Sequence, residues 1–581
     1  MNKTILKKII DTAAGRIPAD LVIRNGIIAD VYTGRFIQGE LAVSGEFIAG
    51  IGERGTYEGL EIFDAQGRYV LPGFIDSHIH IESSFLSPGE LGRLILPHGT
   101  ATIIADPHEI VNISGIAGLN YMMTSAEGAA MDIKFMLPSC VPSTPFEHAG
   151  ANLDAAALEE PLKNKKILGL GEMMNYPGVI AASDDVLDKL LLAISADKLI
   201  DGHSPGLTGR DLNAYAAAIH TDHECATVEE MEQRLSRGMY VMLRQGSACH
   251  DLRNLLKGIT PENSRYCVLC SDDYQPKTIF EYGHLDNDLR ICIAEGIDPM
   301  TALRMATLNV AECFRLQDRG GLAPGRRADI ALVNNLTDFQ VSGVFIKGTL
   351  AARDGKYLFP LKYCDDRPVR SSFRVKNFSV KKLALPLSGD DVWVIDVKGG
   401  SIVTGKGRAK VKRNPAGEFV RDPAVDVAKI AVVERHHNTG SVGVGLIRGY
   451  GIQRGAAAIS VAHDSHNIIT VGTNDADMAA AVERLISLGG GAVLVKDGNV
   501  LEEMPLPLGG IMSDKTGEWV DQKLSSIQKL AADELGVSRE VEPLMTLCFM
   551  SLAVIPELKI TDMGLFDVGQ FKFIPIEVLE Q

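Results

Sequence analysis

Residues 71–80, LPGFIDSHIH, carry an apolar run into Asp76, His78 and His80. On a β-strand, residues i and i+2 share a face, so the two imidazoles leave one strand end together. Neutral imidazole is the commonest side-chain ligand of a catalytic divalent metal. An H-x-H pair is a weak signal by itself, and its company decides its meaning. Further apolar runs end in Glu172 (GLGE), His203 (DGH), His223 (TDHE) and Asp272 (SDD). Four imidazoles and two carboxylates exceed what a closed tetrahedral zinc needs and match two divalent ions sharing a bridge. Glu172, between the pairs, is the expected bridging carboxylate. Nitrogen and oxygen donors without thiolate suit Zn, Mn or Fe alike.

Such residues converge only if their strands are neighbours. Eight short apolar runs alternate with helical patterns: VLPGFIDSHIH, ATIIADPHE, IKFMLPSC, KILGLGE, KLIDGH, AIHTDHE, YVMLRQGS and YCVLCSDD. Their spacing of about 20–35 residues is the rhythm of βα units. Eight such units close into a parallel (β/α)8 barrel whose chemistry sits at the C-terminal strand ends, where this chain places its His, Asp and Glu residues. The spacing of Thr227 and Glu230 predicts a capping box, with Gly238 as the stop, and Pro299 predicts the first turn of a helix running through DPMTALRMATLNVAECF.

The barrel is expected to span 71–322. Glycine-broken strand signals at 20–70 return at 323–362, and the two pieces are expected to close as one small flanking β-sandwich. Residues 1–19 read as an amphipathic helix. After a charged linker near 364–374, residues 376–581 read as a separate C-terminal α/β domain, with a helix from Asn474 to Leu488.

At 581 residues the chain exceeds one ordinary domain, and 46% hydrophobic with 23% charged residues is ordinary for a large buried protein. A net charge of −16 argues against nucleic acid. No run of 18 or more apolar residues occurs, so no membrane partner is expected. The nine cysteines are scattered; Cys267 and Cys270, a lone C-x-x-C inside a strand run, read as buried free thiols. The expectation is a soluble cytoplasmic protein.

The H-x-H pair, the later His and Asp strand ends and the flanking β pieces resemble the amidohydrolase superfamily. Within it, PGFIDSHIHIESS, GLGEMMNYPGV, DGHSPGLTGRDLNAY, TDHECAT, SDD and ATLNVAECFRLQDRGGLAPGRRADI resemble the adenine deaminases, as do VVERHHNTG, IQRGA and SVAHDSHNI nearer the C-terminus. The likeness covers about residues 20–570. It implies hydrolysis of adenine to hypoxanthine and ammonia, a step of purine salvage, by a metal-bridging hydroxide attacking C6. It also implies two divalent ions per barrel, Mn or Fe before Zn, and a homo-oligomer. Many superfamily members carry a carboxylated lysine on strand four, where this chain has Glu172. Lys166 lies roughly 20 Å back along an extended strand and cannot substitute.

In that scheme His78, His80, Glu172, His203, His223 and Asp272 are the metal ligands, and Asp272 shuttles the proton. His108, Glu109 and Glu224 are candidates to stabilise charge at a ring nitrogen, though each also suits a supporting loop role. In the C-terminal domain, His436, His437, His463, Asp464 and His466 read as loop residues or packing against the barrel mouth, with a second metal site conceivable. The competing readings are a binuclear amidohydrolase acting on another heterocycle or cyclic amide, and an inactive barrel scaffold. The scaffold should have lost ligands, and here none is missing.

Overall fold

The computed structural model describes residues 2–578. All eight expected runs form strands: β1 (Phe74–His80), β2 (Thr100–Ala105), β3 (Asp132–Leu137), β4 (Ile167–Met173), β5 (Leu199–Gly202), β6 (Thr221–Asp222), β7 (Tyr240–Arg244) and β8 (Cys267–Cys270). Parallel ladders join β1 through β5 in order, and β6 through β8. Two joints complete the ring. The His220 N–H donates to the Ile200 carbonyl at 3.0 Å, linking β5 to β6. Beyond β8, Asp272 and Asp273 pair with Ile79 and His80 of β1. The Ser77 hydroxyl also donates to the Leu269 carbonyl at 2.8 Å.

Inward side chains fill the end of the barrel where the strands start. Ile75, Ile104, Met136, Met242 and Val268 pack against Val310 and Phe314, so that end is an apolar plug. The polar residues are left at the opposite, C-terminal strand ends. This is the division of labour that a parallel barrel imposes.

Local signals set the helix boundaries. Thr227 and Glu230 form the reciprocal capping box of helix Val228–Leu235. Pro299 stands in the first turn of Pro299–Met305, whose N-cap Asp298 accepts from the Thr301 N–H. The single helix expected from there to Phe314 is instead two. The second, Leu308–Cys313, starts after a break at Thr307 (φ −143°, ψ −84°). The break has a tertiary cause: the Ala306 carbonyl accepts from the Ile75 N–H of β1 at 2.8 Å. Asn309 then donates to the Ser264 and Cys267 carbonyls, fastening the second helix beneath β8.

Strands from both sides of the barrel sequence form one nine-stranded sheet, with Tyr69–Pro72 antiparallel to Ile330–Val333 at its centre. The N-terminal helix Lys3–Ala13 is capped by the Asn2 side chain and precedes that sheet. The C-terminal region builds a mixed eight-stranded sheet from 391 to 505, with helix Asp475–Leu488 packed on it. Its N-cap, Asn474, accepts from the Asp477 N–H. A three-stranded piece, Leu558–Thr561, Gly564–Asp567 and Lys572–Phe573, follows.

One buried ion pair ties the strand ends that matter most. Arg234 is fully buried; its Nε donates to Asp222 of β6 at 3.1 Å, and its guanidinium also reaches the carbonyls of Ser204 and Leu207 beyond β5. His203 and His223 flank this knot. Removing one partner of a buried pair leaves the other charge uncompensated. Arg234→Met should therefore destabilise the barrel by about 3–5 kcal/mol. Differential scanning calorimetry checks this, and a midpoint within about 2 °C of the parent would contradict it.

Candidate metal centre

His78 and His80 leave the end of β1 side by side. The Nδ1 of His78 is 2.9 Å from Asp201 Oδ2, and the Nδ1 of His80 is 2.9 Å from the Asp106 carbonyl. A carbonyl only accepts, so His80 carries its proton on Nδ1, and a carboxylate imposes the same tautomer on His78. Both Nε2 atoms then point inward, 3.1 Å apart. Asp272 Oδ1 is 3.2 Å from the Nε2 of His80 and 3.9 Å from that of His78.

Glu172 comes off the end of β4 and stands between two groups of imidazoles. Its Oε2 is 2.9 Å from His203 Nδ1 and 3.3 Å from His223 Nε2, while Oε1 is 3.5 Å from His80 Nε2. Backbone contacts aim it: its N–H donates to Asp106 Oδ2 at 2.8 Å, and Ser139 Oγ donates to its carbonyl at 2.5 Å. Gly171 is what lets Asp106 approach, since a Cβ there would meet Asp106 Oδ2 at 2.3 Å. Tyr215 links the neighbouring strand ends, accepting from the His203 N–H and donating to the Met173 carbonyl. Lys166 points elsewhere and pairs with Glu127 at the surface.

Asp272 sits at φ +57°, a left-handed conformation that Asp tolerates better than most residues. Its Oδ2 accepts from Arg244 of β7 at 3.0 Å, which leaves Oδ1 facing the histidines. Arg244 also donates to Glu224 and to Asp251, so Glu224 is an ion-pair partner as well as a neighbour of His203 and His223.

The six residues expected as ligands are thus brought together, all buried or nearly so. Donor atoms fall within 4.8 Å of one another in the sets His78–His80–Asp272, Glu172–His203–His223 and His80–His108–Glu172. His108 Nδ1 is 3.3 Å from Glu172 Oε1, and its Nε2 is 3.7 Å from Asp464 of the C-terminal domain. Glu109 is deeply buried beside Ser83 and His463. His463 and Asp464 line the same cavity as the barrel residues, whereas His466 lies behind them, fully buried. His436 and His437 hydrogen-bond backbone carbonyls of Ser465 and Ala149, a packing role.

The electrostatics suit cations. Burial alone would raise the Glu172 carboxyl, but His203 and His223 more than reverse this and hold it well below the usual carboxylate range. Asp272 is likewise held low against its burial, by His80 and Arg244. These carboxylates in turn pull His223, despite its burial, up to about 10. A field that favours positive charge this strongly, around ring nitrogens turned toward one another, fits divalent ions held by the six residues. The donor set agrees: imidazoles that a bound cation would hold in their neutral form, and ionised carboxylates, with the outer nitrogens of His78 and His80 already tied down.

Arg244, Asp106 and Asp201 escaped the sequence reading, although each is a charged residue within or closing an apolar strand run. That was the available signal.

Residues 69–351 match the profile of the Amidohydrolase family, the class that a parallel barrel with these strand-end residues defines. Residues 401–572 match a second profile, the adenine deaminase C-terminal domain. Relatives align end to end. "Adenine deaminase 2" of Desulfotalea psychrophila is 58% identical over 99% of this chain and 100% of its own. "Adenine deaminase" of Nitratidesulfovibrio vulgaris is 50% identical over 99% and 100%, and that of Ligilactobacillus salivarius 50% over the full length of both. The chain belongs to the adenine deaminase family.

Asp201 touches His78 only through the outer nitrogen. Asp201→Asn should lower the affinity for the bound divalent metal about 10–100-fold while the fold persists. Chelator competition followed by elemental analysis measures this, and unchanged retention would remove Asp201 from the site's support.

Proposed function

We infer that the protein hydrolyses adenine to hypoxanthine and ammonia. The observation that carries this reading is the convergence of His78, His80, Glu172, His203, His223 and Asp272 on one buried cavity, in a chain alike end to end to relatives named adenine deaminase. Two divalent ions held by these six residues would supply Lewis acidity, bringing the pKa of water to about 7 and making it a nucleophile at neutral pH. Manganese or iron is our assignment, with zinc the alternative; the preference follows the likeness to the adenine deaminases, because nitrogen and oxygen donors suit all three metals.

The chain's own groups do the rest. Water adds at C6 of the ring and the amino group departs, so a proton must pass from the water to the leaving nitrogen. Asp272 Oδ1, which faces His80 at 3.2 Å while Arg244 occupies Oδ2, is the oxygen placed to carry it. Addition at C6 drives charge onto N1, which needs a proton or a donor. His108 is suited to supply it, since Glu172 and Asp464 flank the ring and, despite burial, push it up to about 10. Glu109 and Glu224 line the same cavity and are the alternative contacts to the ring. Glu224 is held ionised by Arg244, against its burial, and so serves as an acceptor. Glu109 is pushed well up by burial and by Glu82 beside it, and so serves as a donor.

Nine unpaired cysteines, most of them buried, fit a reducing compartment, and we place the enzyme in the cytoplasm, in purine salvage. Exposed apolar side chains on the small sheet, Leu60 and Ile62 among them, support assembly into a homo-oligomer.

Activity and metal content together test the reading. Ammonia release from a panel of purines and pyrimidines, after loading with Mn, Fe or Zn, should select adenine. Asp272→Asn should retain metal and lose turnover by about three orders of magnitude or more; near-normal deamination by that variant would remove Asp272 from proton transfer. Glu172→Ala should instead lower the metal content itself.

A further inference from the structure

The cavity in front of Glu172 has two unlike walls. The barrel side is polar. The other side comes from the C-terminal domain and is mostly apolar, built from Ile402, Phe549, Leu552, Val554 and Ile555, with His463 and Asp464 set among them. His463 is held in place. Its N–H donates to the Cys548 carbonyl at 3.1 Å, and its own carbonyl accepts from Ser551 Oγ at 3.0 Å. The ring lies on Phe549, with centroids 4.6 Å apart and planes at 21°. Phe549 is fixed in turn: its carbonyl accepts from Lys559 Nζ at 2.9 Å, and the same ammonium donates to the Ile402 carbonyl at 3.0 Å.

The ring of His463 therefore occupies a defined place in this wall, beside Asp464, which faces His108. Its Nδ1 is 3.4 Å from Glu109 Oε1. Among the described residues the buried Glu109 Oε2 lacks a hydrogen-bond partner. Buried polar atoms without partners are uncommon in folded proteins, and a ligand that supplies the missing donor or acceptor removes their cost.

The shape of the substrate says what meets this wall. Across the six-membered ring of adenine from C6 lies N3, and N9–H stands next to N3. With C6 turned to Glu172 and Asp272, the N3/N9 edge faces away from them, toward the part of the cavity lining where His463 of the C-terminal domain meets Glu109 of the barrel. That edge offers one acceptor and one donor side by side, and an imidazole next to a carboxyl offers the complement. We propose that His463, paired with Glu109, reads the N3/N9–H edge of the purine, so that the site accepts the free base and rejects bases substituted at N9. This deepens the adenine reading and rests on it.

The test compares the metal-loaded wild type with His463→Ala and His463→Gln. Metal content is measured first, then kcat and KM for adenine, then competitive inhibition by purine and by 9-methylpurine. His463→Ala should keep its metal and raise KM about tenfold, with kcat changed less than about threefold. Its inhibition constant for purine should rise by the same factor, while that for 9-methylpurine, which has no N9–H, stays within about twofold. His463→Gln, which keeps a donor and an acceptor, should recover most of the loss. Equal weakening of both inhibitors, an unchanged KM, or loss of metal on His463→Ala would each overturn the proposal; the last would make His463 a ligand, with Glu109 and His466. Failure of the wild type to release ammonia from adenine would strike the parent reading instead.

Discussion

Two imidazole nitrogens facing one another at 3.1 Å, inside a protein, need a proton or a cation between them. Much of the barrel's polar end can be understood as enforcing that arrangement. Asp201 and the Asp106 carbonyl hold the outer nitrogens and so decide which atoms face inward. Asp106 is shared with β4, where its carboxylate accepts the Glu172 N–H, so one acidic residue sets the direction of both a histidine and Glu172. Asp76, earlier on the same strand as the two histidines, accepts from the Ser271 N–H and hydroxyl and from the His78 N–H. It thereby keeps β8 in register with β1. The cluster is costly to build from water-loving groups, and the apolar plug at the far end of the barrel is part of what makes it affordable.

The C-terminal domain is joined to this arrangement at several points. Asn467 donates to the His148 carbonyl at 2.9 Å, and Thr561 Oγ1 to that of Phe146 at 2.7 Å, which fastens the loop after β3. Ser513 donates to the Phe85 carbonyl just beyond β1, and the Gly517 N–H to Glu90. His463 and Asp464 reach past these contacts into the cavity. The second domain is thus a wall of the site as well as an appendage to it.

Most of the barrel could be read from the chain because two local rules coincide. Alternation along a strand places His78 and His80 on one face, and parallel strands all present their last residues at one mouth. The capping box at Thr227 and the N-cap at Asn474 were legible for the same reason, each depending on residues within one helical turn. What escaped is non-local. The break at Thr307 follows from a carbonyl claimed by β1, from a distant part of the chain. Arg244 looked like the end of another apolar run, and only the fold brings Glu224, Asp251 and Asp272 around it. His463 meets Glu109 across most of the sequence, so no spacing rule connects them.

Lys559 shows where that leads. It is fully buried, bonded to two carbonyls with no carboxylate among its hydrogen-bond partners, and burial pushes its ammonium down to about 7. An amine that resists charging inside the fold but charges freely when the chain opens makes alkaline conditions favour the closed form, between about 7 and the ordinary lysine value near 10.5. The acidic side chains of the cluster, depressed in the fold, favour closure once pH has risen above their unfolded values and lose that advantage as it falls. Both linkages point the same way. The strap that holds the ceiling thus loosens as pH falls from about 10.5 towards 7, and the carboxylate floor only below the carboxylates' unfolded values. His108 and His223, raised in the fold, oppose the strap by losing their contribution as pH rises towards about 10.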